Sequence, residues 1–156
     1  RAFTALSQVL PTFLSQTQFD MTLTFELESE LHMKDPREPG TKKILIVDDE
    51  PLILFGLSRT FQDLAEVKTV NTGEKACDEI AANFYNLCFL DIYLPGMNGL
   101  EVMERIQERS PETKIVVMSA FADENMKKRI EKSACMLLEK PFDLSSIKNI
   151  VKETLL

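Results

Sequence analysis

The chain is poor in the residues from which most zinc sites and nucleophilic triads are built. Its single histidine among 156 residues is His32, which excludes a histidine-rich zinc site or a Ser-His-Asp triad in a core that begins later in the chain. Its three cysteines, Cys77, Cys88 and Cys135, are scattered and form no C-x-x-C pair. Cys88 and Cys135 lie in apolar runs and read as small buried hydrophobes of a reducing compartment. Positive charge is also scarce, with 18 Lys and Arg against 25 Asp and Glu for a net charge of -7. A phosphate-binding surface needs clustered cations, so no direct nucleic-acid contact is expected from this segment. No apolar run approaches the roughly 18 residues of a spanning helix, so no membrane insertion is expected and a cytoplasmic location is. What remains is 44% apolar and 28% charged, the balance of a globular chain with one good core and room for an appendage.

Residues 1–32 read differently from the rest. Phe3, Leu6, Leu10 and Phe13 follow helical spacing that Pro11 interrupts, and Phe19, Met21, Leu23, Phe25 and Leu27 alternate like a half-buried strand. One helix and one strand cannot bury their apolar faces alone, so they would dock on the following domain or on another chain. The segment reads either as a fusion or fragment placed ahead of Met33, the possible native start, or as a natural extension. Residues 33–42, with Pro36, Pro39 and Gly40, read as a linker.

From residue 43 the pattern becomes a regular alternation. Apolar strands are expected at Lys43 to Val47, Val67 to Val70, Leu87 to Asp91, Lys114 to Ser119 and Met136 to Leu138. Between and after them run helices marked by Pro51 with Leu54, Leu57, Phe61 and Leu64, by the cap Thr72, by Leu100, Met103 and Ile106, by a charged run from Asp123 to Lys132, and by Ile147, Ile150 and Val151. Five strands alternating with five helices specify an α/β fold, a parallel sheet covered on both faces by its crossovers. Residues 43–156 are thus expected to form one domain. Ligands of such sheets bind beyond the carboxyl ends of the strands, where strand order reverses.

The residues that close the strands are Asp48 and Asp49, Asp91, Ser119 and Lys140. Separately each has an ordinary explanation: helix-capping acids, an Asx-turn aspartate, a strand-end hydroxyl, a solvated lysine. Together they place three carboxylates, a hydroxyl and an ammonium on one rim. Clustered acids repel one another and are normally held by a hard cation, and Mg²⁺ suits a few carboxylates completed by a carbonyl, waters and phosphate oxygens. Lys140 would offset the remaining charge as a donor to phosphate.

Four motifs carry a resemblance: I-L-I-V-D-D-E-P at Ile44 to Pro51, D-I-Y-L-P-G-M-N-G at Asp91 to Gly99, V-V-M-S-A at Val116 to Ala120 and L-E-K-P-F at Leu138 to Phe142. In that order they make residues 41–156, about three quarters of the chain, similar to the receiver domain of bacterial two-component response regulators. The resemblance implies a flavodoxin-like (βα)5 doubly wound sheet of strand order 2-1-3-4-5, preceded here by an N-terminal appendage. It implies that Asp91 accepts a phosphoryl group from a sensor histidine kinase or phosphotransfer protein. Asp49 and Asp91 would bind Mg²⁺ directly with the backbone carbonyl of Tyr93, and Asp48 through water. Ser119 resembles the switch hydroxyl and Lys140 its cationic partner, with a cis Lys140-Pro141 peptide. Output to a homodimer or effector domain would use the fourth helix, fifth strand and fifth helix.

Two departures from the family pattern matter. Leu137 stands where the family usually has an aromatic residue that turns inward, so coupling is expected to run through Ser119 and the loop after it. Tyr93 and Phe121, each two places after a functional residue, are large rings expected to obstruct water and slow self-dephosphorylation. The run Lys127-Lys128-Arg129 reads as a solvated helix face, with part of a phosphorylation-dependent contact surface as the alternative. Competing functions are an Mg²⁺-dependent phosphohydrolase with Asp91 as nucleophile, which would normally need an acid where Tyr93 stands, and a phosphate-independent, degenerate receiver that works only by protein contact.

Overall fold

Strand β1 (Lys43–Val47) and strand β3 (Leu87–Asp91) are apolar at both parities, as strands covered on both faces must be. In the structure, a computed structural model that describes residues 40–155, they lie side by side at the centre of a five-stranded parallel sheet of order β2-β1-β3-β4-β5. The order matches that expected of a flavodoxin-like fold. Strands β2 (Glu66–Val70) and β5 (Met136–Glu139) form the edges, and β4 (Lys114–Ser119) lies between β3 and β5. Charged Glu66 and Lys68 on β2 suit an edge that faces water. Expectations for residues 1–32 and most of the linker lie outside the described residues.

The period-two alternation of strand side chains sorts the core into two layers. Leu45, Val47, Cys88, Leu90, Ile115 and Val117 face one side and pack with α2 (Gly73–Ala82), α3 (Gly99–Arg109) and Ile130 of α4 (Glu124–Lys132). Ile44, Ile46, Leu87, Phe89, Val116 and Met118 face the other and meet α1 (Pro51–Phe61) and α5 (Leu144–Leu155). Phe61 and Phe89 stack there with ring centroids 5.3 Å apart, and both are fully buried.

Local chemistry sets the helix starts. Thr72, Asn98, Asp123 and Asp143 accept hydrogen bonds from the backbone N–H groups of Lys75, Leu100, Met126 and Ser146, each satisfying a donor the helix leaves free. Helix α1 is the exception: it has Pro51 in its first turn but no side-chain cap from Glu50. It also ends at Phe61, earlier than the apolar spacing through Leu64 suggests. The N–H groups of Leu64 and Ala65 both return to the Phe61 carbonyl, at 2.8 and 3.0 Å, and this turn buries Ala65 while leaving Leu64 exposed. Cys88 is buried as expected, whereas Cys135 is only partly so, because it lies in the turn before edge strand β5.

The charge run on α4 is more than a solvated face. Arg129 reaches Glu104 of α3 at 2.5 Å and Lys127 reaches Glu139 of β5 at 3.7 Å. Gln107 of α3 also donates to the Ser133 carbonyl at the end of α4, at 2.5 Å. The ion pairs are half exposed and contribute little stability each, so their effect is to fix where α4 lies against α3 and β5.

Candidate functional site

Sheet order reverses direction between β1 and β3, since the chain leaves β1 for β2 on one side and later returns to β3 on the other. The carboxyl ends of these two strands deliver Asp48 and Asp91 to the same point, and both are buried, Asp48 completely and Asp91 to 4% exposure. Asp49 joins them from the exposed side, and one carboxylate oxygen from each of the three lies within 4.8 Å of the others. The loop after β3 is held close to the strand end by Gly99, whose N–H bonds the Ile92 carbonyl at 2.9 Å. A Cβ on Gly99 would lie 2.2 Å from the Asp91 carbonyl oxygen, so only glycine allows this approach.

Lys140 enters from the end of β5, with its backbone N–H bonded to the Ser119 carbonyl at 2.7 Å and its peptide to Pro141 in the cis form. Its Nζ lies 2.8 Å from Asp48 Oδ2 and 3.4 Å from both Asp91 Oδ1 and Glu50 Oε1. Asp48 is fully engaged, because its other oxygen accepts from the Glu50 N–H at 2.8 Å. Burial pulls the lysine downward, but the Asp48 hydrogen bond and the charges of Asp48, Asp91 and Glu50 outweigh it and hold the ammonium above its ordinary value. Asp91 is pushed up, chiefly by burial and further by Asp48 and Asp49, against the opposing pull of Lys140. The site therefore carries an excess of negative charge that one lysine does not balance.

The donor set of the acids is made entirely of hard oxygens, with neither histidine nor thiol among them, and it fits a cation of the Mg²⁺ kind better than a soft transition metal. Ser119 completes the rim but is turned elsewhere: its Oγ donates to the Phe121 carbonyl at 2.5 Å and accepts from the Phe121 N–H at 3.1 Å. Tyr93 and Phe121 stand at the rim, half and two-thirds exposed, with the Tyr93 hydroxyl donating to the same Phe121 carbonyl at 3.0 Å. Leu137 is partly buried against the core layer beneath α2 and α3.

Sequence reasoning assembled Asp48, Asp49, Asp91 and Lys140 as the structure does. It missed two participants. Glu50 shares the Lys140 ammonium, a role signalled only by its place at the end of an acidic run. The Phe121 carbonyl is a main-chain group that no side-chain pattern reports. No helix among the described residues is long and apolar enough to cross a membrane.

Comparison with known proteins adds a consistent set of relatives. Residues 44–152 match the family described as the response regulator receiver domain. The chain is 33% identical over 110 residues to the autoinducer 1 sensor kinase/phosphatase LuxN of Vibrio campbellii, covering 69% of this chain but only 13% of that protein. It is 30% identical over 116 residues to the sporulation initiation phosphotransferase F of Bacillus subtilis, covering 73% of this chain and 94% of that one. Among solved structures, the response regulator protein TrrA of Thermotoga maritima, in complex with Mg²⁺ and BeF, aligns with a TM-score of 0.66 at 33% identity, covering 73% of this chain and 99% of its own.

Proposed function

The chain belongs to the response regulator receiver domain family, and on that premise we propose that residues 43–156 are a phosphorylation-switched signalling module whose phosphoacceptor is Asp91. The observation that carries the proposal is the placement of one buried carboxylate at the end of a central strand, 3.4 Å from a lysine ammonium and within 4.8 Å of two further acids. An oxygen of Asp91 would attack the phosphorus of a phosphohistidine on a sensor kinase or phosphotransfer protein. The O–P bond forms as the P–N bond breaks, and the imidazole leaves with the electron pair and takes a proton from solvent. Lys140, held above its ordinary pKa by the flanking acids, supplies a fixed positive charge where the transferred oxygens arrive.

Asp49, Asp91 and the backbone carbonyl of Tyr93 would hold Mg²⁺, with Asp48 acting through water, and the bound ion would neutralise charge on the transferring phosphoryl oxygens. Ser119 would donate a hydrogen bond to a phosphoryl oxygen once Asp91 is modified, and the turn through Phe121 and helix α4 would respond. The outward face of α4, β5 and α5, where Met136 and Leu144 are exposed, is the surface expected to read that change in a second copy or an effector domain. The family's role in signalling supports this reading over that of an enzyme with turnover. The chain's own chemistry would be limited to gaining and losing its phosphoryl group, in the cytoplasm with the kinase domain that supplies it.

Incubation with Mg²⁺ and acetyl phosphate tests the reading. A stable modification at one phosphoryl group per chain, lost in Asp91→Asn, is the expected result. Phosphate release with no phosphoryl group accumulating on the chain would point to a hydrolase, and no reaction would point to a receiver that works without phosphate.

A further inference from the structure

The carbonyl oxygen of Phe121 accepts two hydrogen bonds, one from Ser119 Oγ and one from the Tyr93 hydroxyl. Ser119 Oγ also accepts from the Phe121 N–H, which closes a tight turn just beyond β4. A serine hydroxyl has a single proton to donate, and here it is committed to Phe121. A phosphoryl oxygen on Asp91 would have to win that proton from the carbonyl. Tyr93 and Phe121 lie 28 positions apart on different loops, and their rings are half and two-thirds exposed, so packing alone does little to hold the two loops together here.

We propose that the Tyr93 phenol is a positioning residue for Ser119, which, by bonding the Phe121 carbonyl, holds the turn after β4 in the arrangement that withholds the Ser119 hydroxyl from Asp91. The proposal rests on Asp91 being the phosphoacceptor. When Ser119 rotates toward a phosphoryl group, its two hydrogen bonds to Phe121 are lost, the Tyr93 bond alone remains on the carbonyl, and the loosened turn is free to carry that carbonyl out of the phenol's reach. The Tyr93 bond therefore counts mainly in the withheld arrangement. Removing it shifts the equilibrium toward the available hydroxyl, and linkage makes the effect reciprocal. This role belongs to the hydroxyl and is separate from any shielding of the site by the ring.

The test is Tyr93→Phe, which keeps the ring and deletes the donor. In the metal-free, unliganded protein the Phe121 amide should exchange with solvent about three- to tenfold faster than in the wild type, the range a net hydrogen bond of ordinary strength supports. In Mg²⁺, beryllofluoride should bind about two- to tenfold more tightly. Unchanged exchange, or faster exchange with unchanged or weaker beryllofluoride binding, would overturn the positioning role. If the wild type binds no beryllofluoride at all, the phosphoacceptor reading has failed, and with it the proposal, whatever the amide does.

Discussion

Removing the Lys140 side chain is the sharpest probe of how the acidic site is held together. In Lys140→Ala the fully buried Asp48 carboxylate loses its partner at 2.8 Å and keeps only the Glu50 N–H. Asp91, at 4% exposure, loses the ammonium 3.4 Å from it. Breaking a buried pair by deleting one partner costs about 3 to 5 kcal/mol. The exposed Asp49 and Glu50 can rehydrate, so the lower end applies, about 3 kcal/mol, or a fall in Tm of about 10 °C for a domain of this size.

Thermal unfolding followed by circular dichroism in a chelating buffer would read this loss directly. The same melt with Mg²⁺ should show a smaller deficit, because a bound cation would take over part of the charge balance. The pH dependence has a fixed sign. A lysine raised in the folded state above its ordinary value of 10.5 stabilises the fold at every pH below that value, and the contribution disappears as pH rises through the elevated one. The difference between wild type and variant should thus be flat from about pH 6 to pH 9 and shrink only in strong alkali. A Lys140→Ala protein as stable as the wild type in chelator would refute the claim that this ammonium compensates the buried acids.

Two further substitutions follow from the same structure. Asp91 is raised from its ordinary 3.8 by burial, so its ionised form opposes folding, by a cost that is absent below that value and grows as pH rises toward the folded-state one. Asp91→Asn should therefore stabilise the metal-free protein at neutral pH, a gain that fades in acid, and equal or lower stability at pH 7 in urea titrations would contradict it. Ala134, in the turn after α4, has a φ of 51°, where a Cβ is unfavourable and glycine is not. Ala134→Gly should raise stability by about 1 kcal/mol, measured as a higher denaturation midpoint with unchanged slope.

Most of the sheet was legible in the sequence because its central strands are apolar at both parities and each ends on or just before a polar residue. Asp48, Asp91 and Ser119 mark those ends as plainly as turns do, and the parallel order then forces them together with Lys140. Boundaries were less legible where two signals overlap. Leu64 continues the spacing of α1, yet the Phe61 carbonyl captures the following N–H groups and turns the chain into β2. The pairing of Arg129 with Glu104 and of Lys127 with Glu139 joins residues distant in sequence, so a run of charges on α4 could not announce its partners. The tie between Tyr93 and Phe121 was hidden for a different reason: its acceptor is a main-chain carbonyl whose direction depends on the turn made by Ser119.

The central claim, that Asp91 is the residue modified, is tested most directly by trapping the modification. After incubation with Mg²⁺ and acetyl phosphate, reduction with borohydride converts an aspartyl phosphate to homoserine, which peptide mass spectrometry can place in the sequence. The account predicts homoserine at position 91 and nowhere else. Homoserine at position 48 or 49, or its absence from all three, would contradict it.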